Sequence, residues 1–292
     1  MKTLSNDFIT IQISEHGAEL TSIVANNKEY LWQADPKFWG RHSPVLFPQV
    51  GRVWNNVYRH KGEEYQLGQH GFARDRKFQL AYEEENAVVY SLESDEESLK
   101  LYPFQFVLQI GYRLVDNKIE VMWEVENIGN NDMYFQIGAH PAFYFPDFDP
   151  KTKERCFFAF DQKDSLEYIC PVEKGCVSPE RHKLKLTDGY MEVDTDTFNC
   201  DTYIFDNSQL KKVTLMNKQK QPCLSLEFSS PLVALWSPTA VHKDVPFVCI
   251  EPWYGRCDKV GYNGELKDRE WMQHLEPGKV FRASYNIVIE EQ

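Results

Sequence analysis

Apolar and polar residues alternate with a period of two along most of this chain. Phe104, Phe106, Leu108 and Ile110 share one parity, and after the polar turn Val115-Asp116-Asn117-Lys118 so do Ile119, Val121, Trp123 and Val125. Side chains of a strand point alternately to its two faces, so the pattern predicts an antiparallel hairpin with one buried face. Further strands are predicted over 8–13, 87–92, 133–137, 156–160, 202–205, 212–216, 223–228, 232–236, 247–250 and 280–290. Turn signals separate them at Glu15-His16-Gly17, Asp206-Asn207, 217–221 and Glu276-Pro277-Gly278. Helical periodicity is confined to three short stretches: 36–40, 94–101 with Ser94 as an N-cap, and 268–274. Many short strands and few helices predict an all-β fold of stacked antiparallel sheets, a sandwich or a barrel. No Gly/Ser/Pro-rich linker interrupts the strands and no repeat of fixed period occurs, so residues 1–292 read as a single domain.

Composition narrows the function classes. Aromatic residues make up 14% of the chain, an apolar payload that disordered and fibrous proteins lack. Basic residues number 32 against 44 acidic ones, a net charge of −12. That balance argues against a nucleic-acid partner held through its phosphates, although it leaves room for a local basic pocket. The densest acidic run, 83–97, contains no basic residue and reads as a solvated strand edge and loop, where charge discourages edge-to-edge pairing. The N-terminal MKTLSNDFITIQIS has neither the apolar core nor the cleavage site of a secretory signal. No run approaches the ~18 apolar residues of a membrane span. Seven cysteines are scattered without a CxxC pair, so neither a zinc ribbon nor a disulfide scaffold is expected, and the expected location is the cytoplasm.

Five segments depart from plain strand patterning. Pro44, Pro48 and Gly51 break an apolar run before Arg52; His70, Arg74 and Asp75 flank Gly71; His140 sits between an apolar strand and the aromatic cluster around Phe143. Asp201 opens a strand, and Glu251 closes the apolar run Phe247-Val248-Cys249-Ile250 ahead of Pro252-Trp253-Tyr254-Gly255 and Arg256. Singly, each has a plain structural reading: a satisfied histidine, a turn aspartate, an ordinary ion pair. Glu251 is the least ordinary, because a carboxylate so placed is buried and needs a partner or a shifted pKa. Jointly the set offers a carboxylate and an imidazole for proton transfer, with guanidiniums, a second imidazole and aromatic rings (Trp253, Tyr254, Phe143) around them. That inventory suits a polyhydroxylated ligand and proton transfer better than metal chemistry. A His-x-His pair occurs nowhere among the eight histidines.

The motif residues Gly51-Arg52, His70-Gly71, His140, Asp201 and Glu251, with the stretches GAHPAFYFP and CIEPWYGRCD, resemble the aldose 1-epimerase (galactose mutarotase-like) family over nearly the whole length, most closely its LacX-like branch. The resemblance implies a large antiparallel β-supersandwich with a few short helices, and an isomerase that interconverts the α and β anomers of a hexose without metal or organic cofactor. It implies Glu251 as the general base at the anomeric hydroxyl O1 and His140 as the general acid at the ring oxygen O5, with Arg52, His70 and Asp201 holding the sugar; Arg74 and Trp253 join them as expected sugar contacts. An anionic neighbour is expected to keep His140 protonated near neutrality. Better-known galactose mutarotases carry Asn where this chain has Ala139, and Thr-Gln where it has Pro252-Trp253. Arg74 and Arg256 near the motifs leave a phosphorylated hexose open beside a free one. The rivals are a non-catalytic carbohydrate-binding protein and a glycoside hydrolase with Asp201 or Asp258 as its second carboxylate. The expected partner is a small-molecule sugar, with neither nucleic acid nor membrane, and the expected state a monomer or homodimer.

Overall fold

The computed structural model describes residues 1–290, and its strands follow the predicted alternation. Nine form one antiparallel sheet in the order Tyr190–Asp194, Glu154–Phe160, Lys212–Met216, Pro222–Phe228, Val280–Ile289, Lys118–Asn127, Phe106–Val115, Ala87–Glu93 and Gln79–Glu83. In its central hairpin Ile110 faces Trp123 and Leu108 faces Val125, across a turn whose Asp116 adopts a left-handed backbone (φ 52°) that Asp tolerates better than most residues. A second sheet runs Thr202–Phe205, Leu232–Trp236, Phe247–Tyr254, Ile137–Ala139 and Val45–Leu46, with Ala142–Tyr144 also paired to Phe247–Tyr254. A third joins Lys2–Ser5, Thr10–Ile13, Leu20–Ala25 and Lys28–Glu29. Inward side chains of all three sheets share one core, among them Ile11, Ile23, Leu108, Trp123, Val248 and Ile250. The fold is all-β, as predicted. The edge strand Gln79–Glu83 is exposed along its length, but the acidic run 83–97 only begins there. It continues through a turn into Ala87–Glu93, an interior strand paired on both sides and partly buried, and on to the start of a helix.

The helices differ from expectation. One α-helix occurs among the described residues, Glu96–Leu101, and its N-cap is Asp95 rather than Ser94. The Asp95 carboxylate accepts from the Ser98 N–H while the Ser98 hydroxyl accepts from the Asp95 N–H, a reciprocal cap. Residues 36–40 form a turn. The segment 268–274 is not helical: Trp271 takes φ 62°, which a right-handed helix cannot accommodate, and Gln273–Leu275 pairs with Met133–Phe135. The predicted strand 133–137 is split at Gln136, whose buried amide accepts from the Val50 N–H and donates to the Glu270 carbonyl. No helix among the described residues is long and apolar enough to cross a membrane.

One departure positions the site. The sequence predicts a strand that stops before Glu251 and Pro252; instead Phe247–Tyr254 is continuous. On one flank its residues Cys249 to Trp253 pair without a break with Leu232–Trp236. On the other, Ala142–Tyr144 pairs only as far as Cys249, and Ile137–Ala139 resumes at Trp253. The Ile250 N–H donates across this flank to the Pro141 carbonyl. Two residues on, the nitrogen of Pro252 faces the same flank, where the neighbouring chain is changing from one strand to the next. The N–H that proline lacks therefore costs the sheet no ladder bond. The residue at that change of strand is His140.

Candidate active site

Alternation along Phe247–Tyr254 sends Val248 and Ile250 into the main core and Cys249, Glu251 and Trp253 to the opposite face. The neighbouring strands do the same: Val233 and Leu235 point inward, while Ala234, opposite Glu251, and Trp236, opposite Cys249, point outward with Thr202 and Ile204. Loops border this outer face around an open cavity of about 310 Å³, lined by Glu251, His140, His70, Arg74, Asp201 and Trp253 together with Trp39, Arg41, Gln69 and Trp236. Six sequence-predicted residues thus converge from segments far apart in the chain.

At the cavity floor His140 Nε2 stands 3.3 Å from Glu251 Oε2. Both side chains are nearly inaccessible, Glu251 at 1% and His140 at 7% exposure. His140 is anchored by its backbone N–H to the Pro44 carbonyl and by stacking of its ring on Trp39 at 4.7 Å. Glu251 Oε2 and His140 Nδ1 make no hydrogen bond. Burial disfavours charge on both groups. Burial and the Asp201 carboxylate raise the Glu251 carboxyl well above its ordinary 4.5; burial and the Arg74 guanidinium push the His140 imidazole down to about 3. Burial thus opposes an imidazolium–carboxylate pair in the cavity, against the expectation of a cationic His140 beside an anionic neighbour.

The surrounding groups are set for hydrogen bonding. Gly71 (φ 69°) lies so close to the Phe47 carbonyl that a Cβ would fall 2.2 Å from its oxygen, so only glycine allows this approach. The preceding His70 exchanges bonds with Gly51: its N–H donates to the Gly51 carbonyl, and its Nδ1 accepts the Gly51 N–H. Burial, with the neighbouring His140 and Arg74, holds His70 well below 6.5, so it is neutral and, with Nδ1 accepting, its Nε2 carries the hydrogen. Arg74 donates to the Gln69 carbonyl, and burial lowers it to about 10, which leaves it charged. Asp201, at φ 72°, accepts the Trp236 indole N–H at 2.9 Å, and burial raises its carboxyl.

Other predicted contacts fall elsewhere. Arg52 lines an adjoining outer chamber. Arg256 faces away, into a separate pocket, and is paired with Glu270. Tyr254 and Phe143 turn into the main core by alternation. Asp258 is spent on Arg269 and the Trp54 N–H, so of the two further carboxylates considered for a hydrolase only Asp201 reaches the cavity. Trp253 lines the cavity, with its indole N–H on the Ala139 carbonyl. Trp39, Arg41 and Trp236 are contacts the sequence does not single out. Trp39-Gly40-Arg41 precedes the first motif without a pattern of its own, whereas the parity of Trp236 with Ala234 is a usable signal once the register is known. The donor atoms of His140, Cys249 and Glu251 lie within 4.8 Å of one another. They could hold a thiophilic cation only if Cys249 lost a proton that burial and Glu251 retain.

The profile of the aldose 1-epimerase family matches residues 1–287. Protein LacX, encoded on a plasmid of Lactococcus lactis subsp. lactis, is 31% identical, with 98% of each chain covered. A galactose mutarotase related enzyme from Lactobacillus acidophilus superposes with a TM-score of 0.92 at 34% identity, covering 99% of this chain and 97% of its own. A galactose mutarotase-like protein from Lactobacillus casei superposes with a TM-score of 0.92 at 28% identity, covering 99% of both chains.

Proposed function

The chain belongs to the aldose 1-epimerase family, and we propose that it interconverts the α and β anomers of an aldose by acid/base ring opening and reclosure. The observation that carries this reading is the 3.3 Å approach of His140 Nε2 to Glu251 Oε2 on the floor of a pocket open on one side, at the small end of the roughly 300–1,000 Å³ range of ligand pockets. Glu251 as carboxylate takes the O1 proton while His140 as imidazolium protonates O5. The C1–O5 bond breaks, C1 becomes a carbonyl, and rotation about C1–C2 presents its other face. Reclosure returns the O5 proton to His140 and the Glu251 proton to the new O1. The pair begins with one proton on His140 and ends ring opening with one on Glu251, so no proton need come from solvent. Burial favours the state with the proton on Glu251, which complements the open chain; sugar hydroxyls on the pair help it reach the charged state. His70 Nε2–H, Arg74 and Asp201 supply donors and an acceptor for hydroxyls, and Trp39 and Trp236 flank the site with apolar rings.

Anomer exchange measured by NMR or polarimetry across a panel of hexoses tests the proposal. General acid and base groups each contribute roughly 10²–10⁴-fold, so Glu251→Gln and His140→Asn should each fall to near the spontaneous rate while remaining folded. Retained activity removes that residue from the mechanism. A carbohydrate-binding protein would use the same rings and Arg74 without an acid/base pair, and saturable binding with no acceleration of exchange by the native protein would favour it.

A further inference from the structure

The cavity continues outward. A second chamber of about 680 Å³ is lined by Arg52, Asn55, Asn56 and Lys174, and it shares Gln69, Gly175 and Asp201 with the inner cavity. Neither of its two cations has a carboxylate of the described residues within 4.0 Å, and the one carboxylate among its lining residues, Asp201, is engaged by the Trp236 indole N–H. Lys174 Nζ donates to Asn55 Oδ1 at 2.8 Å and stands 4.7 Å from the centre of the Trp54 ring. Arg52 donates to Asn56 Oδ1 at 3.3 Å. Its stem is packed by Gly175, where a Cβ would come within 2.9 Å of Arg52 Cδ. Among the described residues every other arginine except Arg155 has a carboxylate oxygen within 4.0 Å. Arg155 is buried and spends its donors on the backbone carbonyls of Asp149, Thr152, Glu154 and Lys243. In a chain of net charge −12, where carboxylates outnumber bases, an arginine without a carboxylate partner, fixed beside a lysine that also has none, marks a place that attracts negative charge from outside.

We propose that this chamber is an oxyanion subsite and that the substrate is an aldose bearing a phosphate monoester remote from C1, with its ring in the inner cavity and its phosphate between Arg52 and Lys174. The inference rests on the mutarotase reading of the inner cavity. A phosphate monoester carries about −1.5 to −2 charges at pH 7 with three acceptor oxygens. It matches a guanidinium fork plus an ammonium better than the single charge of a carboxylate does.

The test compares anomer exchange of a free aldohexose, its 6-phosphate and the corresponding uronic acid, in the native protein and in Lys174→Gln. Native kcat/KM should be at least about tenfold higher for the 6-phosphate, since charged hydrogen bonds contribute roughly 1.5–3 kcal/mol each. KM for the phosphate should rise with salt, while that of the free sugar stays level. Lys174→Gln should raise KM about tenfold for the phosphate and leave the free sugar unaffected. Exchange of free aldoses with no advantage for the phosphate, a uronate that equals it, or a variant that treats phosphate and free sugar as the native protein does, overturns the subsite and leaves the mutarotase reading standing. No acceleration of any aldose overturns both.

Discussion

Two buried carboxylates seven positions apart, Glu251 and Asp258, live in opposite circumstances. Asp258 accepts the Arg269 guanidinium at 2.5 Å through Oδ1 and the Trp54 N–H at 2.8 Å through Oδ2. Arg269 in turn donates to Gln49 Oε1 and the Arg256 carbonyl. Both oxygens of the Asp258 carboxylate thus have a protein donor. Glu251 has no cationic partner: it faces an imidazole that burial keeps from ionising, and its Oε2 makes no hydrogen bond. A satisfied buried acid cross-links loops, whereas an unsatisfied one keeps its capacity for a ligand. Sequence distance does not separate the two roles; hydrogen-bond satisfaction does.

The contrast is broken most sharply by parallel neutralisation. Glu251→Gln should cost activity by at least about 10²-fold with no loss of thermal stability. Asp258→Asn leaves Arg269 buried without its counter-charge and should lose roughly 3–5 kcal/mol in urea unfolding; an Asp258→Asn protein as stable as the native one would remove the distinction. The next test uses pH. The folded Glu251 pKa lies above 4.5, so its contribution to stability is lost as pH rises from 4.5 through the folded value. The Tm of Glu251→Gln relative to native should therefore climb with pH over that range. The folded pKa values of His140, about 3, and His70 lie below 6.5, so their contribution is present above 6.5 and lost as pH falls toward the folded values. His140→Asn should flatten the native protein's loss of Tm between pH 6.5 and 3, and an unchanged slope would contradict a buried neutral imidazole. The smallest effect concerns Asp201. Trp236→Phe removes its indole donor and should raise KM by roughly fivefold, about 1 kcal/mol, with kcat nearly unchanged.

Much of this is legible in the sequence, for reasons that also set its limit. The hairpin Phe106–Val115/Lys118–Asn127 is visible because each strand buries one face, and the alternation is local. Pro252 reads as a strand end because its missing N–H is a local fact, while the gap that excuses it lies on another strand. Ring and apolar residues at 268–274 imitate a helical face, yet the backbone of Trp271 and pairing to Met133–Phe135 decide otherwise. In the site, Glu251, His140, His70, Arg74, Asp201 and Trp253 stand at departures from patterning and all reach the cavity. Arg256, beside them in sequence, points away because successive residues diverge. Trp39 and Trp236 look like any core aromatic until the fold brings them to His140, with ring centres 4.7 and 5.5 Å away.

The proline opposite the change of strands has a wider meaning. A sheet that exchanges one neighbour for another must leave a rung empty, and an empty rung in a dry interior normally strands a donor. Pro252 is the residue type with no donor to strand, so the exchange can take place deep inside the protein, and the vacant rung becomes room for an imidazole. The fold thus acquires a polar depression without surrendering an edge to solvent. The geometry of the His140–Glu251 site is inherited from a missing hydrogen atom as much as from the groups that line it.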